Sequence, residues 1–183
     1  MLPSDSHKQE AITLRDGTAI TIRPIHPEDA DNLQDTFDHL SMETIYLRFL
    51  SFKKELPDEE AHHLATVDYD SRMAFVALCK KKGRDIVVGV ARYALLDAAH
   101  PGIAESAVVV QDEYQGRGLG TQLLRRLVNY ARAKGIHHLR GNMQVGNNRM
   151  LELVRNSGLH YKTRFAEGIW EVDIELGVPD EQP

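Results

Sequence analysis

The chain has 183 residues, 42% of them hydrophobic, with 22 Lys and Arg against 27 Asp and Glu for a formal net charge of −5. That length supports one ample core, and the acidic balance argues against nucleic acid as a partner while suiting cationic substrates. No apolar run approaches the ~20 residues of a membrane span, the opening Met1-Leu2-Pro3-Ser4-Asp5-Ser6 lacks the pattern of a secretory signal, and the single cysteine has no internal disulfide partner, so a cytoplasmic protein without a membrane partner is expected. In chain order, residues 12–14 and 19–25 flank Asp16-Gly17 and read as a hairpin. His26-Pro27-Glu28-Asp29 opens a helix to about residue 39, with proline and acids where a helix start favours them. A helical pair covers about 41–50 and 57–67. Strands follow at about 73–80, 86–95 and 103–111, the first two joined across Lys82-Gly83. Cys79 lies in the first of them and reads as a buried strand residue rather than a nucleophile. After a glycine-rich turn, Leu119, Leu123, Leu124, Leu127, Val128 and Ala131 recur at helical spacing. A strand near 137–143, a helix at 147–156 stopped by Gly158, and strands at 159–165 and 168–175 complete the pattern. No repeat or linker interrupts it, so residues 11–176 read as one α+β domain, with 1–10 and 177–183 as flexible termini.

The stretch Gln115-Gly116-Arg117-Gly118-Leu119-Gly120 stands between the apolar, β-branched Ala107-Val108-Val109-Val110 and that helix. A glycine-rich turn from strand to helix leaves main-chain N–H groups unpaired where the helix dipole also favours an anion. It is a candidate phosphate cradle. A dinucleotide fingerprint needs a third glycine at 121, where Thr121 stands, and no Gly-Lys-Ser/Thr string provides a P-loop. What remains is Gln-x-x-Gly-x-Gly, formed by Gln115, Gly118 and Gly120. This resembles the acetyl-coenzyme A signature of the GNAT superfamily of N-acetyltransferases. Further on, Asn147 precedes Met150, Leu151, Leu153 and Val154 in a segment that ends Ser157-Gly158-Leu159. That segment is similar to the family's second coenzyme element, an Asn-opened helix running to Gly-Phe or Gly-Leu.

The resemblance extends over about residues 11–176 and implies a GNAT fold, a mixed, mostly antiparallel twisted sheet flanked by helices. It implies that acetyl-CoA is the cosubstrate, that the loop amides of Gln115, Gly116, Arg117, Gly118, Leu119, Gly120 and Thr121 hold its pyrophosphate, and that Asn147 contacts its pantetheine arm. Main-chain amides near Val109 and Val110 would pair with the pantetheine and polarise the acetyl carbonyl. Many relatives carry a Tyr where Val154 stands, to protonate the departing thiolate. Tyr161 or a water would replace it, or the thiolate leaves unassisted. Ile22-Arg23-Pro24-Ile25-His26-Pro27-Glu28-Asp29 and Leu40-Ser41-Met42-Glu43-Thr44-Ile45-Tyr46-Leu47-Arg48-Phe49 look like the catalytic domains of bacterial protein lysine acetyltransferases. In that subfamily a nucleotide-binding or ligase-like module is often fused to the domain, and neither is read within these residues.

Acetyl transfer to an amine sets a chemical demand. A lysine of reference pKa ~10.4 is only about 0.04% neutral at pH 7, a cost of roughly 4.6 kcal/mol, so a base must take the proton. Glu105 is the candidate general base, ten residues before Gln115 on the strand that leads into the loop. Alternation places Glu105, Ala107 and Val109 on one face, where partial burial would suit a carboxylate to the task. Asp112 and Glu113 fall at the strand's end and are expected to face solvent. His62-His63 and His137-His138 are adjacent pairs whose side chains diverge on either a helix or a strand, so no metal is expected. Arg117 is placed to approach a phosphate, Arg125 and Arg126 read as a solvated helix face, and Tyr46 and Arg48 border the acceptor groove. The expected function is direct acetyl transfer to a primary amine, with a protein lysine as the preferred acceptor. The alternatives are a small-molecule or amino-terminal amine as acceptor, or an acyl-CoA sensor without catalysis.

Overall fold

Turn chemistry shapes the first hairpin. β1 (Glu10–Thr13) and β2 (Ala19–Pro24) pair antiparallel, and Gly17 takes the positive φ of 87° that their turn needs. The structure is a computed structural model and describes residues 8–97 and 99–177. Glu10, expected in a flexible tail, opens β1 and pairs with Ile22. The expectations for 1–7 and 178–183 lie outside the described residues.

The helix expected from His26 begins a turn later. Residues Pro27–Asp29 form a 3-10 turn, and α1 runs over Ala30–Asp38. Asp29 causes the delay: its carboxylate accepts the His26 N–H at 2.8 Å and two Arg23 guanidinium bonds at 2.7 Å, closing a buried knot. α2 (Met42–Phe49) is capped by Ser41, whose hydroxyl accepts the Thr44 N–H at 3.1 Å. α3 (Asp58–Ala65) stops short of Val67 because β-branched Thr66 is already extended.

β3 (Arg72–Lys81) and β4 (Arg84–Leu95) meet at Lys82-Gly83, with φ of 49° and 79°, the left-handed pair a two-residue hairpin favours. β5 (Ile103–Val110), α4 (Leu119–Ala133), β6 (His138–Gln144), α5 (Asn148–Asn156), β7 (His160–Ala166) and β8 (Ile169–Glu175) follow. The eight strands form one sheet in the order β1-β2-β3-β4-β5-β6-β8-β7, and only β5 and β6 run parallel. The α+β class and the mixed, mostly antiparallel sheet are as the sequence implied.

Helices cover both faces of the sheet. On one, α4 packs Leu119, Leu123 and Leu127 into the cluster that holds Met73, Phe75 and Ala91. On the other, α1, α2 and α3 bring Phe37, Ile45 and Ala61 to Ala74, Val76 and Val90. β3 is therefore buried on both sides over 73–79, which is why its sequence is an unbroken apolar run. Cys79 is buried there, as expected of a core strand residue.

Candidate active site

Only three ladder positions join β5 to β6, from Ile103↔His138 to Glu105↔Arg140. Beyond them β5 stays paired with β4 as far as Val110, and β6 with β8 as far as Gln144. The two strands therefore part, and a wedge opens past Ser106 and Gly141, where a Cβ at 141 would lie 3.2 Å from the Ser106 carbonyl. Ladder parity decides which groups face the wedge. The Leu96 N–H donates to the Ile103 carbonyl at 3.2 Å and the Gln111 N–H to the Val88 carbonyl at 2.9 Å. Odd-numbered residues of β5 thus direct their main chain to β4, and even-numbered ones direct theirs to the β6 side. Val108 and Val110 face the wedge. Val109, expected beside Val110, turns its main chain to β4 instead, because polar main-chain groups alternate along a strand just as side chains do.

The glycine loop ends at the mouth of this wedge. Gly116 and Gly118 adopt φ of 71° and 92°, a region other residues enter at a cost. Gly118 is the N-cap of α4 and offers no side chain, and the first turn contains no acidic residue. The first helical bond runs from the Gln122 N–H to the Gly118 carbonyl at 3.2 Å, so the N–H groups of Leu119, Gly120 and Thr121 have no partner within the helix. The loop therefore fits an anion such as pyrophosphate. Gly120 lies against Leu153 and Val110, with 3.6 Å from its ideal Cβ to Leu153. The Gln115 amide donates to the Val110 carbonyl at 2.8 Å, and its oxygen accepts a bond from Arg149 in α5. Of the Val110 main chain this leaves the N–H to face the wedge, beside the main chain of Val108. Arg117 is paired with Asp16 at 2.6 Å, its guanidinium over the Tyr114 ring. Arg15, unnoticed in the sequence, also reaches the loop, with its Nε 3.7 Å from the ideal Cβ position of Gly118.

On the far side of the wedge, Asn147 caps α5, its Oδ1 accepting the Met150 N–H at 3.1 Å. Its Nδ2 group remains to serve a ligand. Val154 is 3% exposed in the core and has no ionisable group to offer. Tyr161 does not replace a tyrosine there. It lies in one row with Ile174, Leu139 and Ala104 across four strands, about 14 Å from β5 at the usual strand spacing, and that row crosses the closed end of the sheet.

The opposite face of β5 borders a narrow groove under α1, α2 and α3. Its floor is Val90, Arg92, Ala107 and Val109, and Leu33, Phe37, Phe49 and Leu64 contribute to its walls. Glu105 shares the face of Ala107 and Val109, as alternation predicted, but it is exposed where partial burial was expected. Two arginines line the groove. Arg48 arrives from α2, and burial lowers its pKa against the opposing charges of Glu105 and Glu60. Arg92 is opposite Ala107 in the ladder, and burial together with Arg48 and Arg72 pushes its pKa down to about 10. α2 is held over this face by Asp112. Rather than facing solvent, its carboxylate accepts the Ser41 N–H at 2.9 Å and the Ser41 and Thr44 hydroxyls at 2.8 Å. Burial opposes that charge, yet those donors hold the carboxyl below its ordinary value. Nothing local signals this contact, which spans 71 residues. Arg92 did leave a trace, as the one charge inside the apolar run from Val87 to Leu95.

The family model described as Acetyltransferase (GNAT) family matches residues 38–159. The chain is 36% identical over 141 residues to Acetyltransferase PA5475 of Pseudomonas aeruginosa, covering 77% of this chain and 75% of that protein. It is 28% identical over 169 residues to Acetyltransferase Pat of Mycolicibacterium smegmatis, covering 92% of this chain but 48% of the relative, so it spans about half of that protein. The solved GNAT domain of S. lividans PAT matches with a TM-score of 0.83 at 27% identity, covering 96% of this chain and 99% of that one. A parted β5–β6 pair, a glycine loop feeding an uncapped helix, and these matches lead to one assignment: the chain belongs to the GNAT acetyltransferase family and is an acetyl-CoA-dependent acyltransferase.

Proposed function

We propose that this protein moves the acetyl group directly from acetyl-CoA to a primary amine, with Glu105 as general base and a protein lysine as acceptor. The observation that carries the reading is the two-sidedness of β5. Its even residues open main-chain groups to the wedge, and its odd residues put Glu105 beside the groove. In this reading the N–H groups from Gly116 to Thr121 hold the pyrophosphate, each such bond contributing roughly 1.5–3 kcal/mol. Asn147 donates to the pantetheine arm, and the Val108 and Val110 main chain pairs with it and polarises the acetyl carbonyl. Glu105 takes a proton from the amine, directly or through water. The nitrogen then forms its bond to the acetyl carbon as the carbon–sulfur bond breaks. With Val154 in the core, the thiolate leaves without a protein acid, and the second proton that the nitrogen sheds on forming the amide reaches the sulfur through water.

A protein lysine is favoured by the likeness of Leu40 to Phe49 to protein lysine acetyltransferases, with Tyr46 and Arg48 on the helix beside β5. A small amine, an amino-terminal amine and a non-catalytic acyl-CoA sensor are the competing readings, the last motivated by Val154. Thiol release from acetyl-CoA, measured across lysine peptides and small amines, separates them. Glu105→Gln should lower kcat by about 10²–10⁴ while acetyl-CoA still raises the melting temperature of both proteins. At ~100 times Kd that rise corresponds to about 2.7 kcal/mol, or roughly 5–10 °C for this size. Binding without turnover on any amine would establish the sensor, and undiminished turnover in the variant would remove Glu105 from the mechanism.

A further inference from the structure

Among the described residues neither Arg48 nor Arg92 forms an ion pair, and Glu105 and Glu60 act on Arg48 only through space. Every described salt bridge in the molecule joins other residues. Arg92 donates one bond, to the Leu64 carbonyl at 2.5 Å, and Arg48 lies over the Phe49 ring with its carbon 4.9 Å from the centroid. The nearby acids do not neutralise them. Glu60 is bonded to Lys53, and Glu105 forms no ion pair with either arginine among the described residues. Two half-buried guanidiniums side by side repel each other and lose hydration, an arrangement that an incoming anion relieves. A guanidinium also presents a planar fork of donors matched to a carboxylate.

The position of the pair adds to its chemistry. Arg92 is opposite Ala107, and Glu105 is two residues from Ala107 on the same strand face, a diagonal neighbour about 7–8 Å away. An amine at Glu105 would thus have its own substituents over Ala107, within reach of both arginines. Resting on the proposed amine acetylation, we infer that Arg48 and Arg92 form a carboxylate subsite of the acceptor, so the accepted amine carries a carboxylate close to its nitrogen, either the α-carboxylate of a free amino acid or an acidic side chain next to a lysine. The apolar walls at Phe37, Phe49 and Leu64 would enclose the rest of that acceptor.

Calorimetric titration of the protein saturated with coenzyme A tests the subsite without requiring turnover. The probes are L-methionine against L-methioninamide, and the peptide Gly-Glu-Lys-Glu-Gly, blocked at both ends, against Gly-Gln-Lys-Gln-Gly blocked likewise. The subsite predicts at least tenfold tighter binding of the carboxylate member of one pair, and the pair that discriminates identifies the source. Arg48→Gln should abolish that preference while coenzyme A affinity stays unchanged, and Arg48→Lys should restore part of it. The milder Arg92→Lys serves as the second variant, since loss of the bond to Leu64 in a glutamine variant could perturb folding. Equal binding within both pairs, or a preference that survives Arg48→Gln, would overturn the inference. Discrimination in binding with no acetyl transfer would instead sink the amine-acetylation reading and leave the carboxylate subsite standing.

Discussion

Gly118 shows how much one residue carries when the backbone demands it. At φ 92° and ψ 0° it turns the chain into α4, and the nearest atom to a Cβ there is Arg15 Nε at 3.7 Å. An alanine therefore meets conformational strain and no clash. Gly118→Ala should lower stability by about 1–2 kcal/mol and raise the KM for acetyl-CoA, as thermal unfolding and initial rates would report. An unchanged KM would detach this loop from the cofactor. Residue identity disclosed some of the site and hid some of it. The glycines and Asn147 were legible because a left-handed φ and a helix cap each favour few residue types. The orientation of Val109 was not, since main-chain parity depends on which neighbour strand pairs first. The exposure of Glu105 was equally hidden, because strand alternation tells which face a residue shares and not what covers it. Asp112 was misread as a solvent-facing residue, for its partners Ser41 and Thr44 are remote in sequence.

At the level of elements, α4 sits tightly on β4. A Cβ on Gly89 would fall 3.0 Å from Leu123 Cδ1 and 3.3 Å from the Val109 carbonyl. Leu123 is fully buried, so neither neighbour has room to yield. Gly89→Ala should cost about 1–3 kcal/mol by overpacking, and Leu123→Ala about 2–5 kcal/mol by leaving a cavity. The double variant should recover part of the loss, since the new methyl fills space the leucine vacates. Urea unfolding of the four proteins measures this coupling, and strict additivity would mean that the helix is not held at this point. Element order and type were readable because alternation and helical spacing are strong over these lengths, and the start of α1 was displaced only by the Arg23–Asp29 knot. The length of the β5–β6 ladder was not readable. Pairing between strands separated by a helix is decided by tertiary packing, and the wedge that defines the site is a consequence of where that pairing ends.

For the molecule as a whole, the charge balance predicts how it fails in acid. Asp29 is 3% exposed, and burial alone would raise its pKa. The Arg23 bonds, the His26 N–H and the Arg23 charge outweigh that and hold it below its ordinary value. A carboxyl lowered in the folded state stabilises fully above its unfolded pKa near 4, and that contribution is lost as pH falls through the folded value. Asp112 is shifted in the same direction by Ser41 and Thr44, so the two carboxylates that anchor α1 and α2 fail over the same range. Burial raises the pKa of Asp68, yet Ser71 and the neighbouring N–H groups together outweigh it and hold the carboxyl at about 2, but its exposure makes its contribution small. Both anchored helices cover the acceptor groove, so that face should loosen before the α4 face does. Hydrogen exchange between pH 6 and pH 3 should show α1 and α2 losing protection at higher pH than α4. Asp29→Asn should cost about 2–4 kcal/mol at pH 7 by leaving Arg23 without its partner, and its stability should then fall less steeply below pH 5 than that of the wild type. Parallel pH profiles for the two proteins would transfer acid sensitivity to other carboxylates and separate groove opening from the Arg23–Asp29 pair.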